Sequence, residues 1–232
     1  MNRERVIGYA KDMGIELDSM ALERLEILEH RLLRWNEHIN LTAITDEDGI
    51  AVKHFADSLT VLTAAEFAGG AKVVDVGCGA GFPGVPLAIA VPEARVTLLD
   101  SLQKRVNWLK TVLPQLEVPA DCVAARAEEY VAQHREQFDL VTSRAVARLN
   151  VLAELCLPYV RVGGRFLALK GAMAQEEADE ANHAVAALGG KLSGIREYPV
   201  DDAVHRIVVV EKVRPTPAAY PRKFAKIKQN PL

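Results

Sequence analysis

The chain has 232 residues, of which 50% are apolar and 25% are charged. This balance is typical of a globular protein with a hydrophobic core, and it excludes a disordered chain, a collagen-like repeat and a small disulfide-rich protein. The length fits one domain of about 100–200 residues with a small extension.

Cysteine usage and the start of the chain indicate where the protein works. Cys78, Cys122 and Cys156 lie far apart without Cys-x-x-Cys spacing, which argues for a reducing compartment and against a structural zinc site. The first residues, MNRERVIGYAKD, contain no apolar signal core. The longest apolar stretch is much shorter than the roughly 20 residues that cross a bilayer. We therefore expect a cytoplasmic protein that holds no metal and contacts no membrane.

Two helices are predicted in the N-terminal third. Apolar residues recur at helical spacing after Asp18 and Ser19, which are typical N-terminal caps. A second helix is expected to begin in the acidic cluster at 46–48, because acidic side chains stabilise the positive end of a helix dipole. The apolar positions of the two helices are Leu22, Leu25, Leu28, Leu32, Leu33 and Trp35, then Ile50, Phe55, Leu59 and Leu62.

After Gly69 and Gly70, short runs rich in β-branched residues alternate with helical stretches. The runs are KVVDV (72–76), RVTLLD (95–100), CVAAR (122–126), FDLVTSR (138–144) and RFLALK (165–170). This alternation predicts an α/β fold with a doubly wound, mostly parallel sheet of the Rossmann-like kind. Two further runs, 191–200 and 205–213, leave no room for a helix between them, so they predict an antiparallel hairpin at the sheet edge.

Charge is unevenly distributed, although the net charge is only −3. We divide the chain into an N-terminal helical extension (1–68), an α/β domain (69–213) and a basic tail (214–232). From Lys212 to Leu232 there are six lysines and arginines and no acid. A basic end predicts local contact with a polyanion. A charge run at a terminus is more often solvated and frayed, which is the outcome we expect here.

The most informative stretch joins the first strand to the helix that follows it. Gly77, Gly79 and Gly81 come after the strand end at Asp75. Glycines allow tight turns and let a ligand approach the backbone, and ligands of doubly wound sheets bind at the carboxyl ends of the strands. The register 79–84 also satisfies the GxGxxG pattern of nicotinamide-dependent enzymes, but this match alone is weak.

Acidic side chains at the next two strand ends extend this pattern. Asp100 stands 23 positions after Gly77, where a carboxylate can accept hydrogen bonds from both ribose hydroxyls of a nucleoside cofactor. The alternative is that Asp100 caps a helix. Ala127 and Glu128 follow the third strand, where an adenine edge would lie, although an acidic helix start explains Glu128 equally well. The reversed last strand favours an S-adenosylmethionine-dependent methyltransferase. In such enzymes a carboxylate, here Asp75, and the glycine loop hold the amino-acid part of the cofactor, whereas a turn cap is the alternative for Asp75.

The acceptor of the methyl group is inferred from the segment after the fourth strand. An Asn-Pro-Pro-Tyr-like motif, common in enzymes that act on exocyclic amines, is absent, and the segment reads TSRAVARLN (142–150). Arg144 cannot act as a base, but it can bind a phosphate or a guanine edge. The 7-nitrogen of guanine has a free lone pair, so its methylation depends on alignment and desolvation, which can contribute roughly 7–11 kcal/mol.

Seven segments resemble one family from end to end. They are NLTAIT (40–45), KHFADSL (53–59), DVGCGAGFPGVPLAI (75–89), LLDSLQKRVNWL (98–109), SRAVARL (143–149), ALKG (168–171) and YPRK (220–223). The chain is therefore similar to the bacterial 16S ribosomal RNA guanine-N7 methyltransferases of the RsmG (GidB) family. The resemblance implies a class I methyltransferase that uses S-adenosylmethionine to modify one guanosine in the decoding region of 16S RNA.

Family resemblance also assigns individual residues. Gly77, Phe82, the pair Ala127–Glu128 and Arg144 correspond to cofactor contacts of the family. The tail departs from the family's YPRK–KPL pattern, since it reads YPRKFAKIKQNPL. The contacts of the tail are therefore not carried over.

Further polar residues are candidates for contact with the RNA. They are Asn40, His54, Asp57, Lys104, Arg105, Arg148, Lys170, Arg222 and Lys223. Asn40 is expected rather to cap the end of the preceding helix. His54 and Asp57, three apart on one helical face, form either a structural pair or a wall of the acceptor pocket. The expected partner is 16S RNA within the small ribosomal subunit or an assembly intermediate, because an acidic body binds free RNA weakly.

Two functions of other classes stay open at this point. One is a nicotinamide-dependent oxidoreductase that uses the glycine loop. The other is a non-catalytic RNA-binding or assembly factor that retains a cofactor pocket. Titration with the two cofactors separates the first from a methyltransferase, and transfer of a labelled methyl group separates the second.

Overall fold

A seven-stranded sheet forms the centre of the protein. The computed structural model describes residues 1–67, 69–144, 147–200 and 203–232. The strands are β1 (Lys72–Val76), β2 (Arg95–Asp100), β3 (Ala120–Ala124), β4 (Phe138–Arg144), β5 (Val160–Lys170), β6 (Gly190–Val200) and β7 (Ala203–Lys212). They are ordered β3-β2-β1-β4-β5-β7-β6, and β7 runs antiparallel to both of its neighbours. The other adjacent strands are parallel, so the predicted sheet with its antiparallel C-terminal hairpin is confirmed.

Helices cover both faces of this sheet. They are α1 (Arg3–Asp12), α2 (Ser19–Asn36), α3 (Glu47–Ile50), α4 (Asp57–Leu59), α5 (Val61–Ala64), α6 (Gly84–Ala90), α7 (Gln103–Leu116), α8 (Ala127–His134), α9 (Leu149–Cys156), α10 (Ala174–Ala187) and α11 (Phe224–Gln229). A π-helical turn (Ala51–Ala56) joins α3 to α4. One buried cluster joins α1, α2, α6 and α7 to one face, and a second joins α8 to α11 to the other. No helix in the described ranges is both long and apolar enough to span a bilayer.

The strand order creates a crevice between β1 and β4. From β1 the chain builds outward through β2 and β3, whereas β4 and β5 extend the sheet on the opposite side. Ligands of such sheets bind at the carboxyl ends of the strands where the order reverses. β1 and β4 are buried over nearly their whole length, because both faces of a parallel sheet are covered, and their sequences are accordingly apolar.

The N-terminal helices pack on the sheet and share its core. α2 begins as predicted, since the Asp18 carboxylate accepts a hydrogen bond from the Ala21 amide at 2.7 Å. Leu25, Leu28 and Leu32 form the predicted apolar stripe, and all three are fully buried in the cluster that contains β1 and β2. Residue 68, the predicted end of the extension, lies outside the described residues, as do residues 145 and 146 of the SRAVARL segment.

The turn after α2 corrects one prediction. Asn36 closes it, because its Oδ1 accepts hydrogen bonds from the amides of Leu41 and Thr42 at 2.8 and 2.9 Å. Asn40 is exposed, so the cap predicted for Asn40 is wrong. The helix ends at Asn36, one residue after the last apolar position of its pattern, Trp35, and the side-chain amide that can reach the turn belongs to Asn36.

The basic tail is docked on the domain, so the expectation of a solvated end is wrong. Lys212 is 1% exposed and donates to two backbone carbonyls of the segment after α9, at 2.6 and 2.9 Å. Arg222 binds the buried carboxylate of Glu154, and Ile227 of α11 belongs to the second buried cluster. Two of the six cationic side chains from Lys212 to Leu232, those of Lys212 and Arg222, are thus paired with carboxylates rather than offered to solvent.

Candidate active site

The loop between β1 and α6 forms a shallow cradle. Gly77, Gly79 and Gly81 have φ angles of +74°, +58° and +108°, which lie in the region that glycine adopts without strain. The loop is held in place by the Gly77 amide, which donates to the Leu99 carbonyl at 2.8 Å. A Cβ at Gly79 would meet no atom nearer than 4.0 Å, so this part of the loop presents bare backbone to open space.

Asp100, at the end of β2, faces the cradle. Its Oδ2 accepts hydrogen bonds from the Gly79 amide at 3.0 Å and from Arg105 at 3.3 Å, and its Oδ1 accepts one from the Leu102 amide at 2.8 Å. The carboxylate therefore stabilises the turn that precedes α7, whose N-cap residue is Leu102, so the helix cap that was the alternative for Asp100 is not what the structure shows. It also lines a cavity of about 510 Å³ that the glycine loop floors. The other side chains of that cavity include Leu41, His54, Phe82, Arg105 and Arg144.

Asp75 lies behind the loop. Its side chain is fully buried, and its Oδ2 accepts a hydrogen bond from the Gly84 amide at 2.8 Å. Among the described residues, neither its Oδ1 nor the buried hydroxyl of Thr142, on the neighbouring strand, has a hydrogen-bond partner of ordinary geometry. Burial raises the pKa of Asp75 to about 7, against the lowering effect of the Gly84 amide. The structure places Asp75 as a turn cap beneath the cavity rather than on its wall.

The burial of Asp75 predicts that the stability of the protein depends on pH. A folded-state pKa near 7 means that stability falls as pH rises from about 4, the ordinary range of an aspartate, to about 7, since only the folded state holds the proton there. Asp75→Asn removes the titration and offers an amide hydrogen to Thr142. We expect the melting temperature of the variant, relative to the parent, to rise more at pH 8 than at pH 5. An equal difference at both pH values would contradict this, and Asp121→Asn, at an exposed position, is the matched control.

Ala127 and Glu128 lie at the neighbouring strand end. The Ala125 amide donates to the Asp100 carbonyl at 3.1 Å, so the loop after β3 sits beside the end of β2. The Tyr159 hydroxyl donates to the Ala127 carbonyl at 2.5 Å and fixes the start of α8. Neither residue lines the 510 Å³ cavity, and the adenine contact predicted for them stays a prediction.

Arg144, at the end of β4, is held by the N-terminal helices. One guanidinium nitrogen donates to the Asp57 carboxylate at 2.8 Å and to the Lys53 carbonyl at 3.0 Å. The other lies 3.2 Å from Nδ1 of His54. Within the described residues His54 and Asp57 are not hydrogen-bonded to each other, and each of them contacts Arg144. Both line one cavity together with Arg144, so of the two interpretations that the sequence left, the arrangement favours a wall of the site. The helical extension thus supplies part of the site rather than only bracing the sheet.

His54 is an uncharged part of this wall. Its ring stacks on Phe82, with centroids 4.4 Å apart and planes 9° from parallel, and its Nε2 lies 2.8 Å from the Thr42 hydroxyl. Burial and the nearby charge of Arg144 lower the pKa of His54 to about 4, so the imidazole is neutral at pH 7. The Arg144 guanidinium lies 5.2 Å from the centre of the Phe82 ring, within the range of a cation–π contact.

A second cavity, of about 1050 Å³, lies on the other side of Arg144. Its lysine and arginine side chains, apart from Arg144, are those of Lys53, Arg148, Lys170 and Arg206; His205 and the acidic side chains of Asp57 and Glu177 also line it. His54 and Arg144 line both cavities. The protein therefore has a glycine-floored cavity at the strand ends and a basic cleft beside it, which share one wall.

The residues predicted to contact RNA divide into two groups. Asn40, Lys104 and Lys223 are exposed. The others have internal partners: Arg105 pairs with Asp100, Arg148 with Glu176 and Glu180, Lys170 with Glu177, and Arg222 with Glu154. Arg148 and Lys170 still line the basic cleft. Arg222 is committed to a fully buried carboxylate, so the RNA contact predicted for it gives way to a structural role.

Sequence reasoning missed His205, whose Nδ1 lies 2.5 Å from Oδ1 of Asp57. His205 stands near the start of β7, where Arg206 pairs with Lys170 at the end of β5. Because β7 is reversed, its first residues lie at the carboxyl edge of the parallel strands. A polar residue at the start of the reversed strand was the available signal.

Comparison with known proteins assigns the family. The GidB family profile, described as rRNA small subunit methyltransferase G, matches residues 21–201. The chain belongs to this family. Two relatives named ribosomal RNA small subunit methyltransferase G, from Clostridium botulinum (strain Eklund 17B / Type B) and Bacillus cereus (strain ZK / E33L), are each 44% identical to it over 96% of this chain and 95% of the relative. The predicted membership of the RsmG (GidB) family is confirmed.

A solved structure has the same fold as this GidB family member. It is a SAM-dependent methyltransferase from Aquifex aeolicus, with a TM-score of 0.55 and 15% sequence identity, covering 71% of this chain and 93% of that chain. At this identity the likeness concerns the fold alone. The predicted class I methyltransferase fold is confirmed.

Proposed function

We propose that this protein transfers a methyl group from S-adenosylmethionine to the 7-nitrogen of a guanosine in the decoding region of 16S ribosomal RNA. The observation that carries the proposal is the wall of His54 and Arg144 that separates the glycine-floored cavity from the basic cleft. Donor and acceptor can meet at this wall, which is what a direct transfer between two bound substrates requires. Family membership favours this function over an oxidoreductase or a non-catalytic assembly factor.

The residues of the first cavity fit S-adenosylmethionine. The face of Gly79 is open where any side chain would project. Asp100 presents a carboxylate to the cavity, and the amides of Gly79 and Leu102 hold this carboxylate in place. We assign the ribose hydroxyls to Asp100, the amino-acid part to Gly77 and Gly79, and the adenine to the loop at Ala127–Glu128. When bound, this cofactor supplies an electrophilic methyl group, whose transfer leaves a neutral thioether.

Side chains at the shared wall fit an acceptor that needs no proton removed. The Arg144 guanidinium has no acceptor atom that could take up a proton, and Asp57 has both oxygens engaged, by Arg144 and His205. His54 is buried against Phe82 with both ring nitrogens engaged. The 7-nitrogen of guanine can react under these conditions because its lone pair is free at neutral pH. The wall therefore orients the reactants and excludes water.

Electrostatics at the wall suit a reaction between a cationic donor and a base that becomes cationic. The Asp57 carboxylate lies 2.8 Å from the Arg144 guanidinium and offsets its charge, and His54 is neutral because its pKa is about 4. An unpaired arginine would repel both the sulfonium and the methylated purine. The Asp57–Arg144 ion pair therefore keeps the N–H donors of arginine in place and weakens the positive electrostatic potential that an unpaired arginine would create.

Local charge, rather than net charge, would bind the RNA. The chain has a net charge of −3, whereas the basic cleft is lined by Lys53, Arg148, Lys170 and Arg206 as well as by Asp57 and Glu177. Arg148, Lys170 and Arg206 also form ion pairs with glutamates. Phosphate contacts of this kind position the RNA but do not select the base. We expect weak, salt-sensitive binding to free RNA, and we propose the small subunit or an assembly intermediate, in the cytoplasm, as the substrate.

Methyl transfer from labelled S-adenosylmethionine to purified small subunits lacking the modification tests this function. The expected product after RNA digestion is 7-methylguanosine at one position, with much less label on protein-free 16S RNA. Label in an exocyclic amine would contradict the assignment of the acceptor. Binding of NADH without binding of S-adenosylmethionine would support the oxidoreductase, and cofactor binding without transfer would support the assembly factor.

The cradle itself can be tested with a pair of glycine variants. Gly79→Ala and Gly14→Ala both place a side chain at a left-handed residue, with φ of +58° and +69°, in open space. Each is expected to lower the free energy of unfolding by roughly 1–2 kcal/mol. Only Gly79→Ala is expected to weaken S-adenosylmethionine binding, by about tenfold or more, which corresponds to ~1.4 kcal/mol. Equal affinities for the two variants in calorimetry would remove Gly79 from the cofactor site.

A further inference from the structure

The docked tail presents three lysines that have no partner within the protein. Lys212 and Arg222 pair with carboxylates, and the Arg214 guanidinium donates to a backbone carbonyl of α10. The remaining cations of the tail are exposed, and within the described ranges no hydrogen bond or ion pair engages them. They are Lys223, Lys226 and Lys228, which we call the α11 lysines.

The segment that carries the α11 lysines is anchored at three places. Arg135, directly after α8, donates to three backbone carbonyls between residues 216 and 220, at 2.7–3.0 Å. Arg222 pairs with the buried Glu154 of α9 at 2.6 Å, and Ile227 of α11 is fully buried. A ligand of the α11 lysines therefore meets an ordered helix, and its binding does not have to order a flexible segment.

The cations of the basic cleft differ from the α11 lysines in this respect. Four of them are each paired with a carboxylate, namely Arg144, Arg148, Lys170 and Arg206. A carboxylate next to a cation cancels part of the attraction between that cation and a phosphate. The α11 lysines carry no such compensation from the described residues, so each can neutralise a phosphate without first losing an internal partner.

The anchor of α11 lies close to the cleft along α9. Glu154 is five residues after Leu149, the first residue of α9, which corresponds to about 8 Å along the helix axis. Leu149 directly follows Arg148, which lines the cleft, and α11 packs against α9. An RNA segment that is bound at the cleft can therefore continue to α11 within a few nucleotides, at about 3.4 Å each along a helical strand.

We propose that the α11 lysines bind backbone phosphates of small-subunit RNA beside the segment that carries the acceptor guanosine, a placement that rests on the proposed function. The chemistry favours RNA over an anionic membrane. Phe224 and Ile227 pack on the second buried cluster, so the apolar side of α11 is used within the protein, whereas a helix that lies in a membrane surface needs that side for the lipid. Phosphate contacts position RNA without selecting a base, so α11 contributes affinity.

Replacing all three α11 lysines by glutamine tests this placement. Equilibrium binding to purified small subunits is measured between 50 and 200 mM salt. At 100 mM salt we expect the Kd to rise about tenfold or more. The slope of log K against log salt should become less steep by about 2–3, since each phosphate contact contributes roughly 0.7–0.9. Lys226→Gln alone should reduce the slope by about one third of that amount.

Kinetics and cofactor binding distinguish this surface from the active site. KM for small subunits should rise in the triple variant, while kcat at saturating subunits and the affinity for S-adenosylmethionine should stay within twofold of the parent. The reason is that remote phosphate contacts bind the ground state and the transition state equally. The melting temperature should stay within a few degrees of the parent, because the three side chains are exposed.

Two matched variants serve as controls. Glutamine at Lys11, Lys110 and Lys191, which are exposed on α1, α7 and β6, removes the same net charge away from the tail and should leave the Kd and the salt slope at the parental values. Arginine at the three α11 positions keeps the charge and should do the same, since phosphate attraction depends on charge more than on side-chain shape.

Three results would overturn the placement. They are a triple glutamine variant with the parental Kd and salt slope, a control that loses as much affinity as the tail variant, and lost binding to anionic phosphatidylglycerol vesicles with unchanged binding to small subunits. Failure of the proposed function is a separate result, because the parent would then leave N7 of the guanosine unmethylated. The binding comparison needs no methyl transfer and still decides the role of α11, and a parent that does not bind small subunits would overturn both.

Discussion

Arg144→Lys is expected to lower kcat for methyl transfer by about a hundredfold or more, the cost of misplacing a reactant by about 1 Å. The guanidinium simultaneously contacts the Asp57 carboxylate, the Lys53 carbonyl and His54. A lysine ammonium is a compact group on a flexible stem and cannot reproduce this planar arrangement. The wall between donor and acceptor would lose its shape while keeping its charge.

Single-turnover methylation of small subunits, with S-adenosylmethionine affinity measured in parallel, tests this expectation. Arg161→Lys is the matched control, because Arg161 also pairs with an aspartate, Asp139 at 2.6 Å, but is half-exposed and lies at the opposite edge of the sheet. The control should retain the parental rate. An Arg144→Lys enzyme with parental kcat would show that the shared wall does not position the reactants.

Arg222→Ala is expected to lower the free energy of unfolding by about 3–5 kcal/mol, the range for removing one partner of a buried ion pair. The Glu154 side chain is 0% exposed, and Arg222 is 15% exposed. Both the backbone amide and the guanidinium of Arg222 donate to that carboxylate, at 2.6–3.2 Å. Without Arg222 the tail would detach and leave a carboxylate inside the second buried cluster.

Urea unfolding of the parent and the variant measures this loss. Lys228→Ala removes the same charge from an exposed position of the tail and should change stability by less than about 0.5 kcal/mol. A second variant, Glu154→Gln with Arg222→Ala, should recover part of the loss because no buried charge remains. If Arg222→Ala unfolds like the parent and only binding to small subunits falls, Arg222 belongs to the RNA interface and not to the fold.

Local sequence patterns were sufficient to predict most of the fold. The glycines after β1 require positive φ angles, and the acid at the end of β2 lies at the same edge of the sheet, so Gly77, Gly79 and Asp100 converge by topology alone. The Asp18 cap and the leucine stripe of α2 are likewise local features. The reversed last strand could be predicted because no helix fits between β6 and β7.

Features that depend on distant residues were not predictable in the same way. The partners of Arg144 come from a π-helical turn about 90 positions earlier in the chain, and no spacing rule connects them. α1 is short and mostly exposed, so its apolar pattern is weak. The tail was predicted to be solvated because its charges were counted without Glu154, a buried carboxylate far away in the sequence that pairs with Arg222.

The proposed function depends most on where S-adenosylmethionine binds, and a crystal structure of the protein with this cofactor tests that directly. We predict density over the glycine loop, with the ribose hydroxyls within hydrogen-bonding distance of the Asp100 carboxylate and the sulfonium on the side of Arg144. Cofactor bound elsewhere, or a loop closed by its own side chains at saturating cofactor, would contradict the proposed cofactor site.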